Sequence, residues 1–395
     1  MTTSKRSSHL DYVISAGNQY QKFFCKFISA NDAGLTDTHQ DGIYLAKSSW
    51  PLFFDSSGEK SENKDRVVSV YWEEGCPPVQ SRLVWYGRGT RSEYRITRFW
   101  PNSPYDKKDC VGDLLILIPI NKNEVIASLL RTEEDVETFL SSFSISLIKN
   151  FSVYGVTPPG TKTKAALTEE QIIAEYALLF DGKFPVSQNM ATAAREINNR
   201  LKRVNLGAPD HALLKWIDVE YKLFKSIEDF AYKDILIKPF ESVGQMIEFS
   251  SGVLNRRKSR AGRSFEHHID FLLTSWGIPF SHPGRTEGKK KPDFIFPSND
   301  AYADYTFDNK LLTFLGAKTT CKDRWRQILN EANRIPVKHL ITLQQGISEN
   351  QMEEMKSENV ILVVPRQYHE MYPPKFQPDL VDVTTFFQEL RSKST

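Results

Sequence analysis

Lys289-Lys-Lys-Pro-Asp-Phe-Ile-Phe-Pro297, Leu311-Leu-Thr-Phe-Leu-Gly-Ala-Lys-Thr-Thr320 and Cys321-Lys-Asp-Arg-Trp-Arg-Gln-Ile-Leu-Asn-Glu331 follow one another along the second half of the chain. Asp293 opens a short apolar strand and Lys318 closes the next. Two adjacent strand ends can therefore present a carboxylate and an amine to one spot. Glu331 lies about three turns into the helix expected to follow. Carboxylates beside a lysine are what metal-assisted phosphodiester hydrolysis requires. The acids supply oxygen ligands for a hard divalent cation, and the amine stands beside the attacking water or the scissile phosphate.

Centres of this kind often carry an acid two residues before the lysine, and here that position is Gly316. The missing ligand has to come from the following segment. A helix over 323–334 would bury Trp325, Ile328, Leu329 and Ala332 and leave Glu331 on its polar side. Upstream, a helix from Ser264 carries an apolar stripe of Phe265, Ile269, Leu272, Leu273 and Trp276. Glu266 sits roughly 75° from the middle of that stripe, at the margin of the buried face. A carboxylate there is commonly a solvated flank, so the spacing permits a further catalytic acid without requiring one.

Three longer stretches surround these residues: Asn255-Arg-Arg-Lys-Ser-Arg-Ala-Gly-Arg-Ser-Phe-Glu266, Thr286-Glu-Gly-Lys-Lys-Lys-Pro-Asp293 and Ala317-Lys-Thr-Thr-Cys-Lys-Asp-Arg-Trp-Arg-Gln-Ile-Leu-Asn-Glu-Ala332. Together they resemble the catalytic domain of the EcoRII family of type II restriction endonucleases. Ser29-Ala-Asn-Asp-Ala-Gly34 with His39-Gln40, and Thr90-Arg-Ser-Glu-Tyr-Arg-Ile-Thr-Arg98, are similar to the N-terminal part of that family. The resemblance implies two domains: an N-terminal all-β pseudobarrel that binds effector DNA, and a C-terminal α/β restriction-endonuclease-like domain of the PD-(D/E)XK type. The expected limits are 1–155 for the first, 156–168 for a linker and 169–395 for the second.

Composition is compatible with that division. A chain of 395 residues, 40% apolar and 25% charged, is long enough for two domains that each bury a core. No run approaches the ~18 apolar residues of a membrane span, and the N-terminus lacks a signal-peptide pattern. Cytoplasmic residence in a bacterium or archaeon is the expectation, with no membrane partner. The four cysteines and eight histidines show no ligand spacing. His267-His268 reads as a helix flank. The net charge of +2 does not advertise a nucleic-acid binder, but its distribution is uneven. Five basic residues and no acid lie between Asn255 and Arg263, and Lys289 to Lys291 precede Asp293. Beside a hydrolytic centre such runs are candidate phosphate contacts.

In chain order, residues 20–155 read as short strands at 23–29, 42–46, 66–72, 82–86, 94–99 and 113–120. Two arms, 29–44 and 88–98, correspond to the DNA-embracing arms of the resembled family. Arg91, Arg95 and Arg98 offer forks for guanine edges, and Glu93 can accept from a cytosine amino group. Asn31 and His39 can read edges or hold phosphates. Proline, glycine and threonine between 155 and 168 mark the linker. Helices are expected at 169–180, 189–203 and 212–232. Helices and strands then alternate from 264 onward, which predicts a mixed sheet covered by helices.

Lys322-Asp323-Arg324 comes directly after the lysine strand. Asp323 can serve a helix N-terminus, or it can accept from cytosine while Lys322 and Arg324 donate to guanines. The resemblance favours base reading, at the outer CC:GG pairs of a CCWGG-like site. It implies Mg2+ held by Asp293 and Glu331, with Lys318 and Glu266 completing the catalytic set. It also implies a homodimer on palindromic double-stranded DNA, autoinhibition relieved by a second, effector copy of the site, and a companion DNA methyltransferase. An inactive DNA-binding regulator and a repair or mismatch endonuclease are the alternatives.

Overall fold

The computed structural model describes residues 3–36, 42–72, 76–101, 103–146, 148–156, 164–288 and 290–394. The chain divides into two compact units. Unit 1 comprises residues 1–160 together with 345–352 and 368–378, and unit 2 comprises 161–344, 353–367 and 379–395. His39, and Lys289 of the basic run, lie outside the described residues, as does most of the expected linker.

Unit 1 is built on one eight-stranded sheet. Its strands are β1 (Phe23–Phe27), β2 (Ile43–Leu45), β3 (Asn63–Tyr71), β4 (Val79–Tyr86), β5 (Glu93–Thr97), β6 (Leu114–Pro119), β7 (Glu124–Leu130) and β8 (Phe151–Tyr154), in the order β2-β5-β4-β3-β7-β6-β1-β8. All neighbours are antiparallel except β3 and β7. Side-chain parity explains why β1 and β6 are apolar at every position but Lys26 and lack the alternation of a half-exposed strand. Phe24, Leu115 and Leu117 enter one core with Ile43, Leu45, Val70, Trp85 and Ile96. Phe23, Cys25, Leu114 and Ile116 enter a second core on the opposite face. One core draws residues from strands at both ends of the order, so the sheet is curled.

The second face is covered by α1 (Thr3–Tyr20) and α3 (Glu133–Ser142), which the sequence reading had not assigned. α3 starts at an N-cap, where Thr132 Oγ1 accepts from Asp135 N–H. A four-residue helix, α2 (Trp50–Phe53), closes the turn after β2. The late segment 368–378 belongs to this unit through Ala30 N–H donating to Met371 O at 2.9 Å and Tyr368 Oη donating to Ile148 O at 2.7 Å.

Unit 2 begins with α4 (Lys164–Leu179), α5 (Ser187–Arg200), α6 (Pro209–Leu236) and α7 (Val243–Ser275). The helix expected from Ser264 is the last third of α7. β9 (Phe294–Phe296), α8 (Asn299–Ala303), β10 (Thr313–Lys318), β11 (Lys338–Thr342), the later part of α9 (Glu349–Ser357), β12 (Val360–Val363) and α10 (Val383–Ser394) follow. The strands form a mixed sheet in the order β12-β11-β10-β9, antiparallel only between β9 and β10. Phe265, Ile269, Leu272 and Leu273 of α7, Leu213 and Trp216 of α6 and Phe386, Phe387 and Leu390 of α10 pack on Phe294, Leu315, Ile341 and Val363 of that sheet. Asp210 secures this layer. Its carboxylate accepts from the N–H groups of Arg366, Val383 and Thr384, each at 3.0 Å, so α10 starts with its orphan donors satisfied. No helix is long and apolar enough to cross a membrane among the described residues.

The helix expected over 323–334 is absent. A single 3-10 turn, Trp325–Ile328, is followed by turns through which Ala332 takes φ 50°. Apolar spacing of three and four residues fits both helix types, and here the chain leaves the helix before Glu331.

Candidate active site

β9 and β10 bring Asp293 and Lys318 together as the strand-end argument requires. Asp293 stands just before β9, and its Oδ2 accepts from Ala317 N–H at 2.7 Å and from Lys318 Nζ at 3.1 Å. Both side chains are mostly covered, at 18% and 25% exposed, so the pair is screened less than a surface salt bridge. Oδ1 of Asp293 accepts no hydrogen bond among the described residues.

Glu331 reaches the same place. Burial raises its carboxyl pKa first, and the charge of Asp293 raises it further, against the pull of Lys318, Lys338 and Lys290. Its carboxylate accepts no hydrogen bond among the described residues. Gly316 lets the segment that leads to Glu331 lie close against the strand. A Cβ at Gly316 would lie 3.0 Å from Ile328 Cγ2, so the bare strand lets Ile328 pack directly on it, and Glu331 follows three residues later.

The donor set suits a hard cation. Two partly covered carboxylates have oxygen lone pairs that the protein leaves unused, and these suit a cation. No cluster of three or more His, Cys, Asp or Glu able to hold an ion occurs among the described residues. Magnesium needs none, because it keeps several waters and binds through one or two carboxylates plus substrate phosphate.

Glu266 takes a different position. Its Oε2 lies 3.2 Å from His282 Nε2, whose Nδ1 is 3.1 Å from Asp270 Oδ2. The two carboxylates push the imidazole pKa up to about 9, Asp270 contributing most. The ring stacks on Phe294, the residue after Asp293, with centroids 4.4 Å apart. Glu266 is thus connected to the site through His282, a residue that no sequence signal singled out because its partners come from a helix twelve and sixteen residues earlier. A second lysine missed by the sequence reading, Lys338, is buried. Its ammonium donates to the carbonyls of Glu331, Ala332 and Ile335, and burial brings its pKa down to about 8.

The predicted DNA-reading residues divide by exposure. After β10, Lys322 is buried, Asp323 exposed and Arg324 half-buried, with Arg324 Nη2 donating to Thr320 Oγ1 at 3.3 Å. They lie in a turn, so Asp323 caps no α-helix; Arg324 is the N-cap of the 3-10 turn and makes no side-chain cap bond. In unit 1, Arg91 and Arg98 are exposed, Arg91 with its guanidinium 5.2 Å from the Tyr86 ring centre. Arg95 is not presented to solvent. Its side chain is 4% exposed, paired with Glu93 at 3.2 Å and donating to Gly42 O at 3.1 Å. Asn31 accepts from Thr36 Oγ1 at 3.0 Å.

The basic run 255–263 is largely absorbed by unit 2 itself. Arg256 donates to Tyr232 Oη, Arg257 clamps Glu228 at 2.7 and 2.9 Å, and Arg260 lies between the rings of Tyr221 and Phe224. Lys290, exposed, donates to Asn330 O. His268 is no helix flank: it is fully buried, 3.0 Å from Glu220 Oε2.

Comparison with known proteins gives a consistent picture. Residues 17–143 match the family model described as restriction endonuclease EcoRII, N-terminal, and residues 224–387 match that described as EcoRII C terminal. The chain is 35% identical over 387 residues to the type II restriction enzyme EcoRII of Escherichia coli, covering 93% of each. A second relative, the type II restriction enzyme SsoII of Shigella sonnei, is 29% identical over 117 residues, 27% of this chain and 37% of that protein. Among solved structures, metal-depleted Ecl18kI in complex with uncleaved, modified DNA aligns with TM-score 0.43 and 20% identity, over 59% of this chain and 85% of that one. The PspGI restriction endonuclease–substrate DNA complex aligns with TM-score 0.43 and 14% identity, over 53% and 93%.

Proposed function

Because the chain belongs to the EcoRII family of type II restriction endonucleases, we propose that this DNA-binding nuclease cuts both strands of a short palindromic CC/GG-containing site, CCWGG-like, with Asp293 and Glu331 holding Mg2+. The observation that carries the reading is the Asp293–Lys318 pair, 3.1 Å apart where β9 begins and β10 ends, with one carboxylate oxygen unused and Glu331 within electrostatic reach. An ion held by Asp293 and Glu331 would supply a water of lowered pKa and offset charge on the phosphate. Asp293, fixed by Ala317 N–H, and Glu331, fixed by its turn, set where the reacting groups stand. Lys318 orients the attacking water and assists its deprotonation. Glu266 supports the site through His282 and Phe294. Fixed geometry of this kind supplies the in-line approach.

In the same reading unit 2, whose first helix α4 begins at Lys164 inside the segment 156–168 expected as linker, is a PD-(D/E)XK domain, and unit 1, which residues 345–352 and 368–378 join, is an effector-binding pseudobarrel. Lys322, Asp323 and Arg324 read the outer pairs of the catalytic copy of the site. Arg91 and Arg98, with Asn31 and His39, address the effector copy, while Glu93 and Arg95 hold the arm. A two-fold dimer matches a palindrome, and Leu236, Ile237, Val243 and Ile247, all more than half exposed about the α6–α7 turn, give such a dimer an apolar surface. Residence in a bacterial cytoplasm beside a methyltransferase that protects host sites completes the proposal.

Digestion of a plasmid of known sequence with and without Mg2+, followed by sequencing of the ends, tests it. Fixed ends within a CC/GG palindrome, produced only with the ion, are expected. Ends scattered over mispaired or irregular DNA would overturn it.

A further inference from the structure

We propose that Lys338 is a positioning residue for the active site, fixing the turn that carries Glu331 to the same sheet that carries Lys318; this rests on the reading of Glu331 as a metal ligand.

The segment from Ile328 to Ile335 has little main-chain structure of its own. Glu331 N–H bonds Ile328 O at 3.0 Å and Ile335 N–H bonds Ala332 O at 2.9 Å, with Ala332 left-handed between them. An L-residue in that region is strained and persists only when its surroundings hold it. From outside, Glu287 accepts from Asn333 N–H at 3.3 Å and Lys290 bonds Asn330 O. Neither bond reaches residue 331. Lys338 does: its buried ammonium spends all three donors on the carbonyls of Glu331, Ala332 and Ile335.

The anchor point gives these bonds their meaning. Lys338 is the first residue of β11, and β11 pairs in parallel with β10 from Leu315 to Lys318. Sheet, ammonium and turn therefore form one rigid connection from the strand of Lys318 to the backbone of Glu331. A helix would have positioned the acid through its own ladder; this chain has no helix there, and a compact three-donor cation substitutes for it. Arginine's planar fork cannot serve three converging carbonyls in the same way.

The test uses the full-length protein and Mn2+, counting free ion by paramagnetic resonance, with thermal melting as a fold check. Lys338→Met keeps the length and removes the donors. It is expected to weaken Mn2+ binding about 10-fold, as loss of a ligand's support does. Glu331→Gln is expected to weaken binding as much or more, and the double variant no further, because both act through one group. Lys338→Gln, with two donors, is expected to fall between. A folded Lys338→Met with wild-type Mn2+ affinity, or additive losses in the double variant, would overturn the positioning role. So would failure of both Lys338 variants to fold, since the lysine would then serve the core. If Glu331→Gln itself binds Mn2+ like wild type, the ligand assignment fails instead, and the two failures are thereby told apart.

Discussion

The two units treat their charged side chains in opposite ways. In unit 1 the buried charges are used up by the framework: Lys26 pairs with Asp32 at 2.7 Å, Arg131 with Asp113 at 3.0 Å and Arg95 with Glu93 at 3.2 Å. Asp32 also accepts from Ser29 N–H and Tyr44 N–H, binding the first arm's base to β2. In unit 2 the helical bundle does the same with Arg257 and Glu228, 2.7 Å apart, but the end of the small sheet does not. There Glu331 and one oxygen of Asp293 are left without partners beside each other. Partly exposed carboxylate oxygens that the protein leaves unpaired beside a lysine are open to a hard cation. Charge-rich sequence is therefore a weak guide to function by itself; what matters is which charges the fold leaves unspent.

The largest effect expected from this contrast is at the unspent end. Asp293→Asn or Lys318→Ala should lower cleavage by at least about 10³-fold, since each removes electrostatic support from the reacting groups. Specific DNA binding, followed by gel shift without metal, should persist because the sheet core is untouched. Normal turnover by either variant would remove that residue from the mechanism.

The next effect tests the spent charges of unit 1. Arg95→Ala strands Glu93 and the Gly42 carbonyl in a buried place and should cost about 3 kcal/mol in denaturant melts. Arg91→Ala and Arg98→Ala, on exposed side chains, should cost less than about 0.5 kcal/mol and show instead as weaker effector-DNA binding. If Arg95→Ala is as stable as Arg91→Ala, the distinction between framework and reader in this arm is lost.

Sequence made the strand ends legible and the connections between them not. Asp293 and Lys318 could be found because short apolar runs fix where strands stop, and parity in β1 and β6 follows from their unbroken hydrophobicity. The segment 323–334 could not, because Trp325, Ile328, Leu329 and Ala332 satisfy helical spacing, and nothing local shows that the carbonyls of Glu331, Ala332 and Ile335 would turn to Lys338. His282 and Lys338 owe their places to partners distant in the chain or to the main chain, and neither leaves a pattern. Arg256, Arg257 and Arg260 have partners that the run of charge did not announce, since aromatic rings and Glu228 of α6 lie within their reach, while Arg256 and Arg263 stay exposed.

A smaller effect sharpens the reader in unit 2. Arg324→Ala should lose about 1–3 kcal/mol of discrimination between cognate and altered duplexes, the value of a bidentate guanine contact. A phosphate contact would weaken all duplexes alike. Equal losses on cognate and random DNA would assign Arg324 to the backbone.

The smallest expected effect asks what unit 1 does for unit 2. A nuclease that cuts one site needs one reader, so a second DNA-binding unit implies a separate task, and inhibition relieved by effector DNA is the task proposed. Effector can shift a blocked–open equilibrium only by its differential affinity for the two states. The intact protein should therefore cut one-site DNA slowly and two-site DNA well. A fragment beginning at Ala165 should cut one-site DNA about 10-fold faster than the intact chain, within the usual range of such couplings. Removal of residues 1–164 also leaves 345–352 and 368–378 without the rest of their unit. Tyr368, Tyr372 and Phe376, buried in the whole chain, lose that cover, and amide exchange should quicken there while β9 to β12 stay protected. Equal one-site rates for the fragment and the intact enzyme would leave unit 1 as an extra anchor on DNA, and unchanged exchange in 368–378 would show that the segment keeps its protection without residues 1–164.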